Sequence, residues 1–499
     1  MYLSPEEEAI GRENFNAAIG SDTRNSRGVN RREFLKAALA TLTTSSTLGA
    51  SYFGYGSIEN PLRVGVIGTG DQGGVLIGAV NPAYVNVTAI CDIRPYNVHR
   101  AFHGDHYSPT ALKVRCGLIR KYGWSSEDEA RRRVRVYEDY RKLLQDRDIE
   151  AVIIALPVHL HAPVVIAALL SGKHVLVEKL MAQTVSQCKQ MVRVVKQTGL
   201  VLSVGYQRHY NTIYAGAADM VRQALLGNVH YMRTQWHRGN LPGMDSWQQP
   251  LPRSVKPDDL QSTQLEGRLA AWKRRLDPKR GESKAMWASR VAQIEAQIAD
   301  AAVDAEKHGY QSHQLKDSTG NVIYRCPAIE ELIRWRLWDR TGSGLIGELG
   351  SNLIDGVGVL TAPEGGKPGP MPLSVTGFGA RTIFAPDREV DDHACATFEF
   401  AAPEYAATEV HASRKRVAAQ QSVANGSGFG GYGEMLLGTE GTLILQRETE
   451  AMLFARHGPS GKLRVTESAD GPRLDLSADG DPSAAEKSKE TLGPCADAR

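Results

Sequence analysis

The chain has 499 residues, 42% of them hydrophobic, and a formal net charge of +3 from 59 basic and 56 acidic side chains. That length allows two or three domains at roughly 100–200 residues each, and the charge balance excludes a broad electrostatic footprint for nucleic acid. No apolar run reaches the about 18 residues that a membrane-spanning helix needs. The six cysteines are scattered, without a CxxC pair or zinc-ligand spacing, so no metal is expected.

Residues 1–30 are polar and carry no hydrophobic period. Then comes Asn30-Arg31-Arg32-Glu33-Phe34-Leu35-Lys36, followed by a mildly apolar, small-residue run over 37–50. Paired arginines before Phe-Leu and a weak apolar stretch resemble a twin-arginine export signal. The resemblance implies a twin-arginine translocase as partner and a location outside the cytoplasm, periplasmic or membrane-anchored. Residues 1–58 are therefore assigned to signal and linker.

Leu62-Arg63-Val64-Gly65-Val66-Ile67 reads as a buried strand and runs into Gly68-Thr69-Gly70-Asp71-Gln72-Gly73 and a helix-compatible stretch. The glycines allow a tight turn and a close backbone approach to a pyrophosphate, and the helix N-terminus offers free N–H groups to its charge. The next strand, 85–91, ends in Asp92, nineteen residues after Gly73, where a carboxylate would hold the ribose hydroxyls. Asp92 favours NAD, and Arg94 leaves NADP open. Further strands at 134–136, 151–155, 173–177 and 200–204 alternate with helices at 139–145, 162–170 and 186–197, a doubly wound parallel sheet over 59–205. Residues 102–132 read as a polar excursion.

Four later segments carry a resemblance. They are Leu156-Pro157-Val158-His159-Leu160-His161, then Gly172-Lys173-His174-Val175-Leu176-Val177-Glu178-Lys179, then Gly205-Tyr206-Gln207-Arg208-His209-Tyr210-Asn211, and residues 344–355. With the glycine turn, in this order, they are similar to the motifs of the Gfo/Idh/MocA oxidoreductases. The resemblance implies an α/β Rossmann domain followed by an α+β domain with a large open, mostly antiparallel sheet, and a homo-oligomer, dimer or tetramer. It implies that Gly68, Gly70, Asp71, Gln72, Gly73, Asp92, Arg94, Leu156, Pro157, His161, Glu178 and Lys179 meet the dinucleotide. Lys179 is the first catalytic candidate, because a cation beside a carbinol oxygen stabilises the developing alkoxide.

The chain departs from the family twice. Leu180 stands where the family has proline after the lysine. Glu348 and Asn352 stand where many members carry D-x-x-x-H; a spacing of four puts both on one helical face, but asparagine cannot exchange a proton. Tyr206 and His209 are further catalytic candidates, and Arg208, Trp236, His237 and Asp355 are candidates for the substrate, with Arg238 beside them.

The second domain is expected over 206–460, with a helix at 214–226, a strand at 229–238 and a helical insertion at about 245–325 that would serve as lid, oligomer contact or surface hairpin. Strands are expected at 373–380, 393–400, 407–413, 432–437 and 442–445, and a disordered tail over 461–499. The implied function is an NAD(P)-dependent oxidoreductase acting on a carbinol of a sugar, glycoside or cyclitol with a tightly held, recycled cofactor. Two alternatives stand beside it: a redox-neutral glycoside hydrolase, lyase or epimerase working by transient oxidation, and a nicotinamide-bound sensor or scaffold.

Overall fold

The computed structural model describes residues 3–20, 58–257, 259–276, 283–362, 369–456, 464–468 and 471–475. The chain begins with α1 (Pro5–Gly20). The nucleotide-type unit then runs β1 (Leu62–Ile67), α2 (Asp71–Ala79), β2 (Val85–Cys91), α3 (Pro95–His103), α4 (Pro109–Val114), α5 (Gly117–Tyr122), α6 (Glu127–Arg133), β3 (Arg135–Tyr137), α7 (Tyr140–Leu144), β4 (Ala151–Ile154), α8 (His161–Leu170), β5 (His174–Val177), α9 (Val185–Thr198) and β6 (Leu202–Val204). The strands lie in the order β3-β2-β1-β4-β5-β6, all parallel. Helices cover both faces, so β4 is buried at every residue, which is why these strands read as unbroken apolar runs. The order reverses beside β1, and ligands of such sheets sit at the carboxyl edge near that point.

Local chemistry sets the helix ends. Thr184 and Gln187 form a reciprocal capping box at the start of α9, and Gly199 closes it in the left-handed region; a cap of this kind contributes about 1 kcal/mol. The polar stretch 102–132 is ordered as short helices, with the Tyr122 hydroxyl donating to the Val85 carbonyl and accepting from the Val87 N–H, both at 2.9 Å.

The second unit contains α10 (Thr212–Arg222), β7 (Val229–His237), α11 (Leu260–Arg274), α12 (Lys284–Ala299), a hairpin of β8 (His313–Lys316) and β9 (Val322–Cys326), α13 (Ala328–Ile333) and α14 (Ser351–Thr361). Then come β10 (Ser374–Ala380), β11 (His393–Ala401), β12 (Arg416–Ala424), β13 (Tyr432–Gly438), β14 (Gly441–Gln446) and β15 (Glu450–Ala455). Its sheet runs β10-β11-β12-β7-β13-β14-β15, antiparallel except for the β12–β7 pair. This is the expected pairing of a Rossmann-like sheet with a mostly antiparallel one. α10 and α14 cover one sheet face through Tyr214, Ala217, Val357 and Leu360.

Four expectations need correction. Residues 5–20, set aside with the signal, are helical and packed in the second unit's core. Gly11, Asn14, Phe15 and Ala18 are buried, one helical face at spacings of three and four. A glycine and an asparagine on that face hide its period from a hydrophobicity count. Gly11 is required there, since a Cβ would lie 2.4 Å from Phe454 Cζ, and Asn14 Nδ2 donates to the Leu453 carbonyl at 3.1 Å. Residues 407–413 hold turns instead of a strand; the sheet position is filled by β12, whose Ala-Gln-rich sequence lacks a strong strand pattern. The insertion carries the β8–β9 hairpin as well as helices. Residues 464–468 and 471–475, inside the expected tail, pair as β16 and β17. The arginine pair at 31–32 lies outside the described residues.

Candidate functional site

A cavity of about 1350 Å³ opens at the carboxyl edge of the parallel sheet and takes its walls from both units. Its floor is the β1–α2 turn. Gly68 has φ +86°, and a Cβ there would meet the Ala155 carbonyl oxygen at 2.4 Å; one on Gly73 would meet the Gly68 carbonyl oxygen at 2.1 Å. A Cβ on Gly70 would meet only the Asn97 side chain, at 3.6 Å, an ordinary van der Waals contact, and this glycine lines the cavity. Two glycines thus close the turn while the third leaves backbone exposed at the N-terminus of α2, the cradle a pyrophosphate needs. Asp71 would set a negative charge beside that pyrophosphate. Burial opposes its ionisation, but Arg100, whose NH1 lies 2.6 Å from Oδ1, outweighs this and holds the carboxyl well below the usual range.

At the end of β2, Asp92 is held from three sides. Its oxygens accept from the Thr69 N–H at 2.8 Å, the Arg94 N–H at 2.9 Å and Asn97 Nδ2 at 3.2 Å. The carboxylate is fixed on the cavity wall, where ribose hydroxyls would reach it. These residues fit a dinucleotide. Leu156 and Pro157 line the cavity beyond Asp92. His161 also borders it, with Nδ1 2.6 Å from the Leu180 carbonyl and Nε2 2.8 Å from that of Leu156; burial favours the neutral ring, which donates to one of the two. It ties the two loops together, so its part in nucleotide binding is indirect.

Glu178 and Lys179 follow β5 directly and line the cavity. Gln72 Nε2 donates to Glu178 at 2.9 Å, and burial pushes the Glu178 carboxyl above its ordinary range against that bond and Lys179. Lys179 Nζ donates to the Glu348 carbonyl oxygen at 2.7 Å and lies 3.9 Å from its carboxylate. Burial opposes the charge on Glu348, yet Lys179 and Arg336, the latter with Nε at 3.0 Å, hold its carboxyl below the usual range. Glu348 sits in a π-helical turn, Ile346–Gly350, that leads into α14, where Asn352 follows. Both line the cavity despite the altered turn. The Lys179–Leu180 peptide, at the departure from proline, is cis.

Other candidates stand elsewhere. Tyr206, His209, Asp355, Arg208 and His237 are not on the cavity wall. The segment Gln207–Tyr210 is a short 3-10 turn that swings His209 outward, with Nε2 2.9 Å from Asp355 and the imidazole largely exposed. Burial pushes the Tyr206 hydroxyl up to about 12. Arg208 points into the protein, with NH1 2.5 Å from Glu434 and Nε 3.2 Å from Glu448; burial pushes Glu434 up to about 7 even so. Side chains alternate along β7, so Trp236 faces the cavity while His237 faces away, bonded to Ser422 and the Phe429 carbonyl. Arg238, two residues beyond Trp236, lines the cavity too.

Sequence reasoning missed Gln249, Tyr310, Trp335, Arg336 and the buried Arg100 on the same wall. The dense Arg334-Trp335-Arg336-Leu337-Trp338 run was the one visible sign.

Residues 62–206 match the Gfo/Idh/MocA family model, described as oxidoreductase family, NAD-binding Rossmann fold. This unit is therefore an NAD-binding Rossmann domain of that oxidoreductase family. The chain is 32% identical over 151 residues to the dTDP-3,4-didehydro-2,6-dideoxy-alpha-D-glucose 3-reductase of Streptomyces violaceoruber, covering 29% of this chain and 41% of the relative. It is 29% identical over 182 residues to the inositol 2-dehydrogenase/D-chiro-inositol 3-dehydrogenase of Lactiplantibacillus plantarum, covering 35% and 45%. The matched stretch thus spans less than half the length of these relatives. Among solved structures, a levoglucosan dehydrogenase in complex with NADH and levoglucosan aligns at TM-score 0.47 and 17% identity, over 83% of this chain and 79% of that one.

Proposed function

From an NAD-binding Rossmann domain of the Gfo/Idh/MocA type as premise, we propose that the chain is an oxidoreductase that moves a hydride between NAD and a carbinol of a sugar, glycoside or cyclitol. The observation that carries this reading is Lys179, held by the Glu348 carbonyl at 2.7 Å on the wall of the same cavity that the Asp92–glycine cradle lines. The named relatives, a nucleotide-sugar reductase and an inositol dehydrogenase, support the substrate class.

Bound nicotinamide would supply a two-electron hydride acceptor or donor. Gly68, Gly70, Gly73 and the α2 N-terminus would hold the pyrophosphate, and Asp92 the ribose. With one Nζ–H on Glu348, Lys179 keeps the rest of its amine for a substrate oxygen. As an amine it takes the hydroxyl proton in oxidation; as an ammonium it returns that proton in reduction. Glu348 and Arg336 fix the lysine's position. Asn352 hydrogen-bonds a neighbouring hydroxyl, and Trp236, stacked on Tyr432 with centroids 4.4 Å apart, offers a flat face to a sugar ring.

Export by the twin-arginine route belongs to the same proposal and rests on residues 30–50. Outside the cytoplasm the nucleotide would be held and recycled in place. Cleavage near Ala50 would remove Phe15 and Ala18 from the core they share with α10 and the sheet. The mass of the extracytoplasmic chain decides this: a chain starting near residue 51, or an intact one in that fraction, supports export, and recovery in the cytoplasm alone rejects it. We also propose self-association through the edge strand β10, along which Val375 and Phe378 are exposed.

The activity is tested by following the near-ultraviolet absorbance of reduced nicotinamide in the purified protein against a panel of sugars, cyclitols and glycosides. Absorbance that rises or falls with one of them supports the oxidoreductase. A changed sugar with no net change in nicotinamide would move the reading to a redox-neutral hydrolase, lyase or epimerase. A nucleotide that never responds leaves the sensor.

A further inference from the structure

The cation best placed to receive a 2′-phosphate is Arg94, whose backbone N–H already bonds Asp92. Its guanidinium is turned elsewhere. Nε lies 2.9 Å and NH2 2.8 Å from Asp300 Oδ2, and NH2 also reaches Gln249 Oε1 at 3.3 Å. The Arg94 side chain is 7% exposed and that of Asp300 is fully buried. The other Asp300 oxygen accepts the Tyr96 N–H at 3.0 Å, so the carboxylate is anchored to the start of α3 as well.

Asp300 does not belong to the Rossmann domain. It follows α12, the second helix of the insertion, and reaches the nucleotide rim because α12 is fastened over the first unit. Gln293 Nε2 donates to Asp105 at 3.0 Å, Gln293 Oε1 accepts from the His106 N–H at 2.6 Å, and the Tyr107 hydroxyl donates to Gln297 at 2.6 Å. Arg115 on the same cavity wall is paired too, with Asp105 at 2.7 Å, whereas Arg141 lies 3.6 Å from Asp139 at the exposed surface.

We propose that Asp300 is a cofactor-specificity residue: by holding Arg94 in a buried ion pair it denies the 2′-phosphate its cation and makes the site select NAD over NADP. The inference rests on the nicotinamide reading above. Drawing Arg94 toward a phosphate would strand a buried carboxylate without its partner, a strongly unfavourable state. The Asp92 carboxylate adds repulsion of the phosphate. The insertion thereby acts on nucleotide choice without touching the nucleotide.

The test is a titration of the full chain with NADH and NADPH, read by tryptophan quenching. The wild type is expected to favour NADH by about tenfold or more, and Asp300→Asn to tighten NADPH by about tenfold with little change for NADH. The double variant Arg94→Met/Asp300→Asn, which removes both charges together, is expected to return the wild-type ratio, and it decides the matter if the single variant does not fold. Equal wild-type affinities, a folded Asp300→Asn with an unchanged ratio, or a double variant that binds NADPH more weakly than the wild type does would each overturn the proposal. A chain that binds neither nucleotide fails earlier, at the nicotinamide reading itself.

Discussion

Lys179 Nζ hydrogen-bonds the backbone carbonyl of Glu348, 169 positions along the chain. The bond joins the end of β5 in the Rossmann domain to the π-helical turn of the second unit. The amine is thereby fixed by a neutral acceptor, while the Glu348 carboxylate at 3.9 Å is engaged by Arg336 and Ser343.

Lys179→Ala should abolish turnover while NADH binding stays within about threefold of wild type, since the pyrophosphate and ribose contacts lie elsewhere. Loss of one acid–base group corresponds to about 10²–10⁴-fold in rate. Full activity in this variant would discard the assignment of Lys179.

Asn352→Ala removes an amide that lines the cavity and carries no proton chemistry. A single lost hydrogen bond of about 1.4–3 kcal/mol predicts a fall in kcat/KM of about ten- to a hundredfold, with the shape of the pH–rate profile unchanged. A displaced pH profile would show that Asn352 helps set the protonation of a catalytic group.

The His209–Asp355 pair gives a pH signature in stability rather than in activity. The hydrogen bond that the imidazole donates to the Asp355 carboxylate raises it above its ordinary value of 6.5, with burial opposing. A raised histidine contributes stability that is complete below 6.5 and disappears as pH rises through the higher folded value. Asp355→Asn should therefore lower Tm more at pH about 5 than at pH about 9. A Tm difference independent of pH would mean the pair is not linked to folding.

Phe15→Ala tests the N-terminal helix. Phe15 is 5% exposed in the core shared with Tyr214, Met220 and Leu453. Truncating a buried phenylalanine costs about 3–5 kcal/mol, so thermal or urea unfolding should shift clearly toward lower stability. A variant as stable as wild type would show that α1 is not part of the folded unit in solution.

Features that depend only on neighbouring residues were readable along the chain. Val64, Val66 and Ile67 made a strand, and the Gly68, Gly70 and Gly73 spacing made a phosphate turn, because conformational freedom and local burial are written within a few positions. Asp92 was legible for the same reason, as a carboxylate at the end of the next strand. The direction of side chains and their distant partners came from packing. The turn at Gln207–Tyr210 sent His209 outward and Arg208 into a cluster with Glu434, the alternation of β7 parted Trp236 from His237, and a face built from Gly11 and Asn14 placed α1 in the core. Arg94 looked free until Asp300, 206 residues away, was found holding it. An ion pair of that separation has no local period or spacing; it exists only because packing brings the insertion across the rim of the parallel sheet.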